Sequence, residues 1–140
     1  NFNFNFKNIF FIYLSLIINL LIFVNLILKN LWGRARPNDV LELGGKENFT
    51  PWFQLSDSCN TNCSFVSGDA SVGFSLIVLY FVTKQNFYFW VSLFSGFFIG
   101  LVRMLEGGHF FSDVLLAAFF VYILTFLQYH VYNRKFNNDV

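Results

Sequence analysis

Residues 9–28 read Ile-Phe-Phe-Ile-Tyr-Leu-Ser-Leu-Ile-Ile-Asn-Leu-Leu-Ile-Phe-Val-Asn-Leu-Ile-Leu, without a charged side chain. As an α-helix the stretch rises about 30 Å, the thickness of the hydrocarbon core of a bilayer. Backbone polar groups in lipid must be bonded within the structure, so the stretch reads as a membrane-spanning helix. Asn19 and Asn25 lie inside it, on different faces. Their amides are expected to bond to other helices rather than to take part in chemistry.

The rest of the chain fits this beginning. Its 140 residues suffice for one domain, spanning 1–140. It is 56% hydrophobic and only 12% charged, which is the composition of an integral membrane protein. A net charge of +1, without a basic arm, offers nothing to nucleic acid. Three further spans are expected, at about 67–83, 87–102 and 109–128. Small residues Ala70, Ser71, Gly73 and Ser75 suit the second to close packing, and Gly96 and Gly100 mark a helix contact on the third. Residues 84–86 form a polar turn. Residues 1–8 read as an interfacial lead-in and 129–140 as a polar, frayed tail. The chain starts with Asn, and no signal-peptide pattern precedes the first span, so a missing N-terminal part is expected.

Residues 30–66 form a long external loop or lid that holds both prolines, both cysteines and seven of the seventeen charged residues. Cys59 and Cys63 make a poor zinc signature. They are either a disulfide on an external face or two free thiols. This loop and the turn at 104–108 share one side of the membrane. Lys7, Lys84, Arg134 and Lys135 lie on the other side, against Asp139, and lean it towards the cytoplasm.

Three polar clusters fall at span ends on the loop side. Lys29 and Arg36-Pro37 form the first, with Arg34 between them; Arg34 by itself reads as an interface marker. Ser67-Gly68-Asp69 form the second, at a helix start. Arg103, His109 and Asp113 form the third. If a helix starts near His109, it shares a face with Asp113 and the two can hydrogen-bond. A carboxylate would then fix the imidazole tautomer and free the other nitrogen to attack. The plainer reading is a charged turn with an accidental His–Asp pair. The cations Lys29, Arg36 and Arg103 and the helix-start amides at Ser67 and Gly68 together form a nest for a tetrahedral oxyanion. Phosphoryl transfer needs little beyond positioning, charge neutralisation and a nucleophile. No cluster of carboxylates points to a metal, and no cofactor is implied.

These motifs resemble those of the type 2 phosphatidic acid phosphatase (PAP2) superfamily of membrane phosphatases. That family is marked by Lys-x6-Arg-Pro, Pro-Ser-Gly-His and Ser-Arg-x5-His-x3-Asp. Lys29, Arg36 and Pro37 match the first, Ser67 and Gly68 the middle of the second, and Arg103, His109 and Asp113 the third. The segment from Cys63 to the acidic Asp69 also looks like the bacterial lipid A phosphatase subset. The resemblance implies an all-α integral membrane helical bundle, with four visible transmembrane helices of a six-helix core. It implies metal-independent dephosphorylation of a membrane lipid phosphate in the bacterial inner membrane, with the site facing the periplasm. His109 would attack phosphorus to form a phosphohistidine, and Asp113 would orient it. Lys29, Arg36, Arg103, Ser67 and Gly68 would hold the phosphate. Asp69 stands where the family has the His that protonates the leaving group. An altered second motif also suits an alternative, a non-catalytic membrane protein that binds lipid phosphates.

Overall fold

The computed structural model describes residues 6–137, with side chains as far as residue 135. The start of the lead-in, residues 1–5, and the end of the tail, with Asp139, lie outside the described residues. Four helices correspond to the spans read from sequence. Helix α1 runs Phe6–Leu31 and α2 runs Gly68–Thr83. Helix α3 runs Asn86–Leu105 and α4 runs Phe111–Asn137. The described residues hold no strand, only an isolated bridge between Val40 and Glu47. The protein is a helical membrane bundle.

Three of the four helices, α1, α3 and α4, are long and apolar enough to cross a membrane. The fourth, α2, is apolar but shorter. Its shortness fits its place. It packs against α1, α3 and α4, with Ala70, Phe74, Ile77 and Val78 buried. Large apolar side chains on the outer helices face outwards: Phe94 and Phe98 of α3 are each 68% exposed. An apolar exterior suits lipid, which has no reason to expel it.

Close approach of the helices depends on small residues. A Cβ on Gly73 of α2 would lie 2.7 Å from the backbone of Gly96 in α3. Ser92 and Ser95 of α3 donate to the Phe74 and Gly73 carbonyls of α2, at 2.6 and 3.1 Å. The Gly96–Gly100 signal therefore marks a real contact, and Gly100 meets Val114 of α4. Asn19 behaves as its position suggests. Its Nδ2 donates to Thr125 Oγ1 in α4, and Gln128 Nε2 donates to its Oδ1, both at 2.8 Å. Asn25 differs and donates to the Leu20 carbonyl of its own helix, 2.7 Å away. That bond lies within Ile17–Leu28, a segment of α1 wound in wider, π-type geometry. The tail is more regular than expected, since α4 continues unbroken to Asn137.

Candidate active site

The loop from α1 to α2 folds back over one end of the bundle. Asn38 N–H donates to the Gly107 carbonyl at 3.1 Å and Asn38 Nδ2 to the Glu106 carbonyl at 2.8 Å, which joins the loop to the turn between α3 and α4. The centre of this assembly is Arg34. It is 2% exposed, and its Nη1 lies 2.5 Å from Asp113 Oδ1. The same nitrogen donates to Ser112 Oγ, and Nε donates to the Thr50 carbonyl, both at 2.9 Å. The guanidinium carbon lies 4.1 Å from the Phe110 ring centroid, a cation–π contact.

Asp113 is fully buried. Besides Arg34 it accepts from Ser64 Oγ at 2.5 Å and from the Phe110 amide at 3.0 Å. A charge this deep needs such partners. The Phe110 contact also places Asp113 in the first turn of α4, where a carboxylate complements the helix dipole.

His109 lies just before that helix, not on it, because α4 begins at Phe111. Its Nδ1 is 4.0 Å from Asp113 Oδ2, too far for the direct hydrogen bond expected from their spacing. Instead Nδ1–H donates to the Ser64 carbonyl at 2.6 Å. A carbonyl only accepts, so this bond sets the tautomer and leaves Nε2 with its lone pair. Burial pushes the imidazole pKa down to about 4, aided by the Lys29 and Arg36 charges and opposed by Asp113 and the Ser64 bond. At neutral pH His109 is an uncharged base. Asp113 is therefore linked to His109 through Ser64, whose hydroxyl it accepts from and whose carbonyl holds the ring.

The three expected cations meet at this end of the bundle. Arg36 and Arg103 line one open polar pocket of about 530 Å³ with Asn62, Glu106 and Gly108, the residue next to His109. Lys29 Nζ lies where it would sit 3.2 Å from a Cβ on Gly68, so the α2 N-terminus is beside it. Ser67 caps α2, its Oγ accepting from the Ala70 amide, while its own amide donates to the Asp113 carbonyl at 3.3 Å. The Gly68 and Asp69 amides belong to the first turn and have no intrahelical acceptor. Asp69 forms an ion pair with Arg103, Oδ2 to Nε 2.9 Å, and Glu106 pairs with Nη1 of the same arginine. No group of three or more His, Cys, Asp or Glu residues fit for a metal occurs among the described residues.

A family model described as the PAP2 superfamily matches residues 10–137. The chain belongs to the PAP2 superfamily. It is 44% identical over 133 residues to a lipid A 4'-phosphatase of Francisella tularensis subsp. novicida, a match that covers 92% of this chain and 60% of that protein. It is 39% and 37% identical over 106 residues to lipid A 4'-phosphatases of Rhizobium etli and Rhizobium leguminosarum. Those matches cover 74% of this chain, and 41% and 46% of the relatives. The chain thus spans about 60% or less of the curated relatives it matches. No solved structure gives a significant match.

In this PAP2 chain the residues of all three motifs lie at the same end of the bundle, and two further residues complete the arrangement. Arg34, read from sequence as an interface marker, is the buried partner of Asp113. Ser64 links that pair to His109. The available signal was Asp113 itself, since an acid opening an apolar helix needs a buried cation. Nothing in the spacing said which of Arg34 and Arg36 would supply it. The loop also contains a disulfide, Cys59–Cys63, with a Cα–Cα distance of 5.6 Å.

Proposed function

We propose that this chain carries the phosphatase centre of a membrane enzyme that removes a phosphate from a lipid, and that the lipid is of the lipid A class. The observation that carries the reading is the neutral, tautomer-fixed His109 next to the cation-lined pocket. Its Nε2 attacks phosphorus, the phosphorus–oxygen bond to the lipid breaks, the lipid oxygen takes a proton from solvent water in the open pocket, and a phosphohistidine results. Lys29, Arg36, Arg103 and the first-turn amides of α2 neutralise the charge that builds on the phosphoryl oxygens. Water then attacks the phosphohistidine and releases phosphate and neutral His109. These cations do the work that metal ions do in other phosphatases.

Asp69 is the departure from the family's second motif. Paired with Arg103, its carboxylate is better placed to hold that guanidinium than to hand a proton to the leaving oxygen. The lipid A assignment rests on the printed names of the three relatives. The disulfide supports an orientation with the loop in an oxidising compartment, the periplasm for a bacterial inner-membrane protein. The reading also treats the four helices as part of a six-helix core.

Phosphate release from lipid A, phosphatidic acid, phosphatidylglycerol phosphate and polyprenyl diphosphate, each in detergent with and without EDTA, tests the proposal. Release from lipid A that EDTA does not change, and that His109→Ala abolishes, is the expected result. Near wild-type turnover by His109→Ala would exclude the phosphohistidine. Saturable binding of the lipids with no release would show a binding protein instead.

A further inference from the structure

The disulfide-closed loop ends in a segment that touches two of the three cations and both His109 and Asp113. Lys29 Nζ donates to Asn62 Oδ1 at 3.0 Å. Arg36 donates from Nε and Nη2 to the Asn62 carbonyl oxygen, at 3.2 and 2.8 Å. One residue therefore holds two of the three cations, the first through its side chain and the second through its backbone. Two residues on, Ser64 holds Asp113 and His109.

The local backbone explains how one asparagine does both. Asn62 has φ +51°, in the left-handed region that asparagine tolerates better than most residues. Its neighbour Cys63 is buried and joined to Cys59, so Asn62 directly precedes the cysteine that closes a loop of five. On the far side, Ser64 N–H donates to the Arg34 carbonyl at 2.9 Å. The segment is tied at both ends, while Asn62 itself is exposed at the rim of the pocket.

We propose that Asn62 is a positioning residue of the phosphate site, which holds the Lys29 ammonium beside the α2 N-terminus and the Arg36 guanidinium at the pocket before phosphate arrives. Lysine is a flexible point charge that gains most from such tethering, because a free side chain loses rotamer entropy when it binds. Two cations close together also repel each other, and a neutral acceptor between them offsets that repulsion without competing for phosphate as a carboxylate would. The inference rests on the phosphatase reading for its biological meaning, but its test does not need turnover.

The probe is inorganic phosphate, titrated into the full chain in detergent and followed by 31P NMR. Asn62→Gly removes the Lys29 acceptor and keeps both the left-handed backbone and the carbonyl that holds Arg36. It should weaken phosphate binding by roughly fivefold to tenfold, the upper part of the range for an ordinary net hydrogen bond, because the acceptor is exposed. Lys29→Met should weaken it at least as much, and the double variant should be no weaker than Lys29→Met, because the asparagine side chain acts through the lysine. Asn62→Asp, which adds a negative charge against both cations, should bind phosphate more weakly than Asn62→Gly. Additive losses in the double variant, or wild-type affinity in either Asn62 variant, would overturn the inference. A wild-type chain that binds phosphate with this pattern but releases none from any lipid would leave the inference standing and refute the catalytic reading alone. A wild-type chain that binds no phosphate would refute both.

Discussion

Arg34 and Asp113 lie 79 residues apart in sequence and meet in a buried ion pair, Nη1 to Oδ1 2.5 Å. The pair fastens the α1–α2 loop to the first turn of α4, and its carboxylate also accepts from the serine that holds the histidine. Breaking one side leaves a charge buried without its partner, a change that costs roughly 3–5 kcal/mol. Arg34→Met is therefore expected to lower the unfolding midpoint and to abolish phosphate release together. Arg34→Lys should rescue little, because an ammonium cannot reach the carboxylate, Ser112 and the Thr50 carbonyl in one plane. Thermal unfolding in detergent checks the first expectation and a release assay the second. Full activity in Arg34→Met would return the residue to the role of an interface marker.

The pH response follows from the lowered pKa of His109. Protonation of this imidazole is opposed by the fold from its ordinary value near 6.5 down to about 4. The neutral, nucleophilic form thus persists as pH falls through 6.5 and is lost only near 4. The unfolded chain takes up its proton earlier, so this group costs stability as pH drops from 6.5 towards 4 and costs none above 6.5. With only two histidines in the chain, a His130→Gln background leaves a single imidazole to follow by NMR. Titration of that signal near 6.5 would contradict the burial argument.

Arg103 is shared by two carboxylates, Asp69 and Glu106. Each must make way for a phosphate bound at the same guanidinium. Glu106→Gln should tighten phosphate binding by about twofold to fivefold, the scale of a partly exposed ion pair. Asp69→Asn separates two roles. A holder of Arg103 changes KM more than kcat, whereas a leaving-group acid loses roughly a hundredfold or more in kcat. The first outcome is expected, with little change in the alkaline limb of the pH profile.

Within the bilayer, Asn19 is bonded to Thr125 and Gln128 of α4. Side-chain bonds between membrane helices are worth about 0.6 kcal/mol on average, because the alternative arrangements also find partners. Asn19→Leu should cost on the order of 1 kcal/mol in thermal unfolding and leave kcat unchanged. A large loss of activity would show that this network, far from the phosphate end, sets the site's geometry.

The helices were legible because their signal is redundant. Twenty uncharged residues at 9–28 mark a span wherever they occur, and the polar turn at 84–86 separates α2 from α3 as read. The motif residues were legible because each cluster sits at a helix end. The loop was much harder, since its contacts follow neither period nor spacing. Arg34 and Arg36 are two apart, yet one is buried against Asp113 and the other faces the pocket. Asn62 contributes through a backbone carbonyl as much as through its side chain, and a carbonyl carries no sequence signal. The His109–Asp113 bond failed as an expectation for a local reason. It required a helix that includes His109, and the Phe110 amide bonded to Asp113 begins that helix too late.

The fastening at Arg34 also bears on traffic. A segment of thirty-odd residues over a site invites the picture of a hinged door that swings with each turnover. Here the segment is bolted to the bundle through a buried charge pair, joined to the α3–α4 turn by Asn38, and knotted by its own disulfide. Swinging it open would strand Asp113 in the interior each time. On the phosphatase reading proposed above, a headgroup would reach the open pocket at Arg36 and Arg103 without that movement.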